Sequence, residues 1–244
     1  MEMDVFGAAF RDFQAGETGQ IIDVAIDQVR QEELPVSYFF RTYGQMPEWE
    51  QLVLDRCRGQ ILDVGAGAGA HSLVLQERGH QVTAIDLSPG AVAAMKRAGV
   101  QDARCADFFS FVGEKFDVVL FLMNGIGLAG SLDGLERTLR HTGRLLKPGG
   151  EIFLESTDLI YMFEQEDGSY LIPAGHRYYG EVAYQLAYKN IKARPFAWLF
   201  VDPDNLANCA EQAGMKMDII WQGEAHNFVA RLVNEPGIAG PPTV

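Results

Sequence analysis

Cysteine is scarce in this chain. The three present, Cys57, Cys105 and Cys209, lie far apart, and no C-x-x-C occurs. An odd, scattered set argues against a disulfide framework and against a cysteine zinc site, and it fits a reducing compartment, the cytoplasm. No metal is expected. Long apolar runs are missing too. The longest, Val118–Met123, falls far short of the ~20 residues that span a bilayer. Clusters of Lys and Arg are absent: 20 basic residues face 33 acidic ones, for a net charge of −13 and a pI near 4.8. Without a basic footprint, nucleic acid and anionic membranes are poor candidates as partners. The opening M-E-M-D-V-F lacks the basic start and apolar stretch of a signal peptide. No internal repeat, low-complexity segment or catalytic-triad signature is found.

What is present is an ordinary globular composition, 48% hydrophobic over 244 residues, enough for one α/β domain with additions. The most informative segment is Ile61–Gly69, I-L-D-V-G-A-G-A-G, with Asp86 closing V-T-A-I-D. Ile61–Val64 reads as a buried parallel strand, and Ala68–Gly79 as the helix that follows. Gly65, Gly67 and Gly69 let the chain turn sharply and leave no Cβ between backbone and ligand. Gln81–Ile85 reads as the next strand. An acid at its end, about twenty residues after the first glycine, is where a βαβ nucleoside site bonds the ribose hydroxyls. These residues point to an adenosine-containing ligand. Asp63, two residues before Gly65, suits a ligand ammonium and would repel a pyrophosphate. That favours S-adenosylmethionine (SAM) over a nicotinamide dinucleotide.

Beyond these residues the chain resembles class I SAM-dependent methyltransferases, over about Gly59–Leu232. The resemblance is carried by Asp63, Gly65, Gly67, Gly69 and Asp86, by C-A-D-F at Cys105–Phe108, by F-D-V-V-L-F-L-M-N at Phe116–Asn124, and by L-L-K-P-G-G-E-I at Leu145–Ile152. It implies a Rossmann-like α/β fold: a seven-stranded mixed sheet, last strand antiparallel, with helices on both faces. It also implies methyl transfer by in-line displacement, leaving S-adenosylhomocysteine (SAH). Gly65, Ala66 and Gly67 would then face the methionine part, with Gly69 in the same loop, and Asp63 would meet its ammonium. Asp86 would chelate the ribose diol, Leu87 and Phe108 would flank the adenine beside Ala106, and Asp107 would accept from its amino group. Met123, Asn124 and Gly125 would lie beside the sulfonium.

Several positions keep two readings. His71 is a partner of the methionine carboxylate or a solvent-facing helix residue. Arg41 is a second carboxylate partner or a surface arginine. Asp107 binds adenine or caps a turn, and Phe108 flanks the adenine or is, like Phe109, simply core. A general base is needed only if the acceptor must lose a proton. Asp158 and His176 are the candidates, His226 being more suited to structure. Tyr161, Tyr178, Tyr179 and Trp198 line an apolar acceptor site or pack in the core. After the fourth strand the chain reads N-G-I-G rather than N-P-P-Y. With the acidic charge, this favours a small-molecule acceptor over a nucleobase. A monomer or homodimer is expected. The alternatives are an NAD(P)-dependent oxidoreductase and a non-catalytic SAM-binding protein.

The expected organisation is an N-terminal lid over 1–58, a SAM-binding domain over 59–235 and a mobile tail over 236–244. The lid holds a helix over Asp4–Gln14, a hairpin before Pro35 and a helix from Pro47 to about Cys57. The core continues with a helix started by Ser88-Pro89, strands over Val100–Cys105 and Asp117–Met123, a helix over Leu132–Leu146 and a strand over Glu151–Ser156. An insertion over 157–193 holds strands at Tyr178–Tyr188 and, just after it, Pro195–Val201, lying over the sheet edge. A helix over Pro203–Ala213 and a hairpin of Lys216–Trp221 with Asn227–Val233 complete the sheet.

Overall fold

A computed structural model of the chain describes residues 4–27, 30–172, 175 and 177–234. The expected tail, 236–244, lies outside the described residues, as does His176. The chain divides into two compact units. One comprises the residues up to Leu120 with Ala183–Phe196, the other Phe121–Val182 with the residues from Ala197 onward.

Helix α1 spans Val5–Gln14. Asp4 caps it by accepting from the Gly7 N–H at 2.8 Å. Its aromatic face, Phe6, Phe10 and Phe13, packs against Phe39 and Phe40 with ring centroids 4.5–5.5 Å apart. Strands β1 (Ile21–Ile26) and β2 (Arg30–Pro35) pair antiparallel, as the alternation predicts. Helix α2 follows at Glu48–Arg56, with Pro47 in its N-cap place.

Strand β3 (Gln60–Val64) is apolar because both of its faces are covered: Ile61 and Leu62 are fully buried. Helix α3 (Ala70–Glu77) leads to β4 (Gln81–Asp86). Helix α4 (Pro89–Ala98) has Pro at its first position and Ser88 as cap, the pattern the sequence announces. It crosses α1 where Gly7 meets Gly90, and a Cβ on either glycine would collide with the other's Cα. Strand β5 covers Ala103–Cys105, shorter than expected, because Val100 is taken up by the core under α4. Strand β6 is Phe116–Phe121, helix α5 Leu132–Leu145 and strand β7 Leu146–Thr157. The Lys147–Gly150 turn thus belongs to an extended β7, although its pairing with the last strand begins only at Glu151.

Strands β8 (Glu181–Tyr188), β9 (Ile191–Lys192) and β10 (Phe196–Leu199) come next. Helix α6 (Pro203–Gln212) is capped by Asp202, and β11 (Met215–Gln222) and β12 (Asn227–Asn234) form the closing hairpin, with a bulge between Ile219 and Trp221. The main sheet has seven strands in the order β11-β12-β7-β6-β3-β4-β5. β3 is parallel to β4 and β6, and β4 to β5, while β12 runs antiparallel to both β7 and β11. This is the expected Rossmann-like α/β sheet.

One pairing goes beyond expectation. The sequence puts the β insertion over the sheet edge and names no partner strand; β8 pairs antiparallel with β1, in the order β10-β8-β1-β2, and β9 pairs with β8. Periodicity marks both segments as strands but says nothing about which strand each will meet.

Candidate functional site

The turn after β3 is held by the end of β4. The N–H groups of Gly65 and Ala66 both donate to the Ile85 carbonyl, at 2.9 and 3.1 Å, and Gly67 N–H donates to Asp86 Oδ2 at 2.9 Å. Gly65, Gly67 and Gly69 all have left-handed φ, at 69°, 59° and 88°. Their surroundings differ. A Cβ on Gly65 would meet nothing within 4 Å, so the backbone there faces open space. A Cβ on Gly69 would come within 2.7 Å of Val100 and 3.0 Å of Met95, which makes glycine a packing necessity. Gly67 lies under the rings of Phe39 and Phe10.

Asp86 is anchored from two sides, by Gly67 and by the Ser88 N–H at 2.8 Å to Oδ1. Burial pushes its carboxyl up to about 6. The two N–H donors oppose the rise, and the charges of Asp4 and Asp63 add to it. Beside it Leu87 is 68% exposed, a large apolar side chain at the rim of the loop. Ala106 N–H donates to the Asp86 carbonyl at 3.1 Å, which fixes the next segment alongside. Asp107 is exposed and caps the turn Phe108–Ser110 through the N–H groups of Phe109 and Ser110. Phe108 is buried and packs edge-on to Phe109, which is the exposed ring of the pair.

Beneath the loop lies a buried polar group. Asp63 is buried and accepts from Ser72 Oγ at 2.6 Å; burial pushes its carboxyl up, against the opposing effects of His71 and Ser72. His71 is buried, with Nε2 3.0 Å from Glu50 Oε2, so the solvent-facing reading of His71 is corrected. Arg41 is likewise no surface residue. Its side chain is 8% exposed, Nη2 reaches both Glu50 oxygens at 2.8 and 3.0 Å, Nε donates to the Tyr38 carbonyl, and the guanidinium lies over the Tyr38 ring.

Sequence reading missed two acids here. Glu50 is fully buried. Its signal was its place on the apolar stripe of α2, in register with Val53, Leu54 and Cys57 at the i, i+3, i+4, i+7 spacing. Asp4 serves two helices at once: besides capping α1 it accepts from Ser88 Oγ at 2.7 Å and from the Gly90 N–H at 2.9 Å. No pattern in the sequence links residue 4 to residue 88.

In the second unit, Met123 and Asn124 both adopt left-handed φ, 54° and 53°. Asn124 is held on all sides: its N–H donates to Glu155, its Nδ2 to the Leu199 carbonyl, and its Oδ1 accepts from Ser156 Oγ at 3.1 Å. Gly125 N–H donates to the Leu122 carbonyl. Asp158, just past β7, accepts from Tyr179 O–H at 2.7 Å and from Ile160 N–H at 2.9 Å. Burial and Asp158 push the Tyr179 hydroxyl up, so it stays protonated and donates. The Tyr178 and Tyr179 rings lie 4.5 Å apart, tilted by 47°, and Tyr178 donates to Asp202. His226 is exposed and stacks on Tyr161. Trp198 packs on Gly127, where a Cβ would strike its indole.

The chain is 41% identical to a SAM-dependent methyltransferase from Bacteroides fragilis, solved in complex with SAH; the match covers 95% of each chain with a TM-score of 0.88. The chain belongs to the family of SAM-dependent methyltransferases. A family model described as a methyltransferase domain matches residues 62–154 of the chain. Among curated proteins it is similar to a cypemycin N-terminal methyltransferase from Streptomyces sp, 34% identical over 102 residues, 40% of this chain and 42% of that one. It is also similar to a ubiquinone biosynthesis O-methyltransferase from Xanthomonas oryzae pv. oryzae (strain PXO99A), 32% identical over 109 residues, 42% of this chain and 45% of that one. The chain thus spans less than half of the length of these curated relatives. SAM is the family's cofactor. The residues present fit it: bare backbone at Gly65 faces open space, Asp86 and exposed Leu87 lie beside it, and buried Asp63 has hydrogen-bonding capacity in reserve.

Proposed function

We propose that this chain transfers the methyl group of SAM to a small-molecule acceptor in the cytoplasm. The observation that carries the reading is the loop Gly65–Gly69, tied to Asp86 and open above Gly65. When bound, SAM supplies a methyl carbon already activated by a sulfonium. The chain's task is to hold the cofactor, align the acceptor and exclude water.

In this reading Asp86 accepts from both ribose hydroxyls, a charge-assisted contact. Leu87 and Phe108 flank the adenine, with Ala106 beside it, and Asp107 accepts from the amino group with the lone pairs its turn leaves over. Backbone groups of Gly65, Ala66 and Gly67 face the methionine part. Asp63 takes the ammonium, while Arg41 and His71 take the carboxylate. The roles of Met123, Asn124 and Gly125 rest on their place after β6. Asp158 is the proposed base where the acceptor must lose a proton, and Tyr179 orients it.

The acidic chain supports a small molecule over nucleic acid, and no described helix is long and apolar enough to cross a membrane. Titration calorimetry with SAM, SAH and NAD tests the reading. Binding of SAM and SAH without NAD, followed by SAH release in an acceptor screen, is the expected result. Binding without turnover on any acceptor class would favour a non-catalytic SAM-binding protein.

A further inference from the structure

Asp63 presents an electrostatic puzzle. It is a buried carboxylate at the base of the glycine loop, yet among the described residues its one hydrogen-bond donor is the Ser72 hydroxyl. A carboxylate offers about four lone-pair sites, and Ser72 takes one of them, so the others are available to a ligand. His71, the residue before Ser72, acts on Asp63 electrostatically and is an obvious second partner. It is bonded elsewhere. Its Nε2 lies 3.0 Å from Glu50, which also engages Arg41 with both oxygens.

We propose that Glu50 is a positioning residue for recognition of the cofactor's amino-acid end: by holding His71 and Arg41, it keeps Asp63 open for the ligand ammonium. This rests on the SAM reading above. The argument is one of competition between two buried acids for the same donors. A fully buried carboxylate must be paired, and Glu50 meets that need with a guanidinium and an imidazole. The donors are then fixed on the α2 side. Neutralising Glu50 removes the charge that holds them and leaves Asp63 as the remaining anion of the group. His71 would turn to it, and the ammonium would lose its receptor. Adenosine recognition through Asp86 and Leu87 would be untouched, because none of those contacts involves Glu50.

The test uses the full chain and two ligands that differ at the amino-acid end: SAH, and 5′-methylthioadenosine, which lacks it. Wild type should bind SAH ~10-fold or more tightly than methylthioadenosine, the scale of a charged hydrogen bond. Glu50→Gln should cut that preference to about threefold or less, with methylthioadenosine affinity within about twofold of wild type. Equal loss of both ligands would reveal a merely structural Glu50, and an unchanged preference would also overturn the proposal. Should the variant not fold, the wild-type comparison still decides: equal affinity for the two ligands would show that the amino-acid end is not recognised. Failure of wild type to bind either ligand would instead sink the SAM reading itself.

Discussion

Replacing Asp86 by Asn separates two effects that the wild-type carboxylate combines. In the folded chain this carboxyl is held up to about 6, against an ordinary 3.8. The difference corresponds to about 3 kcal/mol. Because the native state keeps the proton longer than the unfolded chain, stability from this group is full below about pH 4 and is lost as pH rises through 6. At pH 7 the ligand-free protein therefore carries an ionised Asp86 at a cost of about 3 kcal/mol. Asn removes that cost but meets one of the two N–H donors, Gly67 or Ser88, with an NH₂ group, losing roughly 1.5–3 kcal/mol. The two terms oppose one another, so the melting temperature at pH 7 should change little.

SAM binding should behave differently. Asn offers one acceptor oxygen in place of two and carries no charge, and affinity should fall by roughly 10–150-fold. Wild-type affinity should also rise from pH 5 to 7 as Asp86 ionises, by at most about tenfold per pH unit below 6. The Asn variant should lose the share of that rise that Asp86 contributes and keep only what Asp63, also held up by burial, adds at the ligand ammonium; the range lies below the titration of a ligand α-amino group. Calorimetry at pH 5, 6 and 7 reads both effects. A variant that binds within twofold of wild type, or a wild type flat with pH, would refute the ribose assignment.

Gly69→Ala forces a Cβ into Val100 at a φ of 88° and should cost roughly 1–3 kcal/mol in a denaturant midpoint experiment, with no effect counting against the packing argument. Removing residues up to Gln14 should weaken SAH binding as well as turnover, because Asp4 bonds Ser88 and Phe10 lies against Gly67; intact binding would disprove that coupling. Asp158→Asn should lower turnover by roughly 10²-fold or more with SAH affinity unchanged if Asp158 is the base, and full turnover would eliminate it.

The parts of the fold set by local chemistry were legible in advance. Apolar runs at Ile61–Val64 and Val118–Phe121 became central strands, and Ser88-Pro89 started its helix at the expected residue. The glycine loop and Asp86 came together because they are adjacent in one βαβ unit. What sequence did not reveal was set by distant partners. The burial of His71 and Arg41 depends on Glu50, an acid on an apolar helix stripe. Asp107 shows a different limit: its turn-capping bonds are visible, and they are compatible with the ligand contact proposed for it.

The second sheet has a consequence for biosynthesis. β1 and β2 are made early, but β1 meets its other neighbour only when β8 arrives, with Asp23 opposite Ala187. At ribosomal rates of roughly 5–20 residues per second, those ~160 residues take ~10–30 s. For that interval β1 presents an unpaired edge, the kind of surface that recruits foreign strands. Asp23 and Asp27 put charge on and just beyond that edge, and Asp27 later accepts the Ala183 N–H at 2.7 Å. The nascent chain thus carries its own guard against premature strand pairing, and that guard becomes part of the finished sheet.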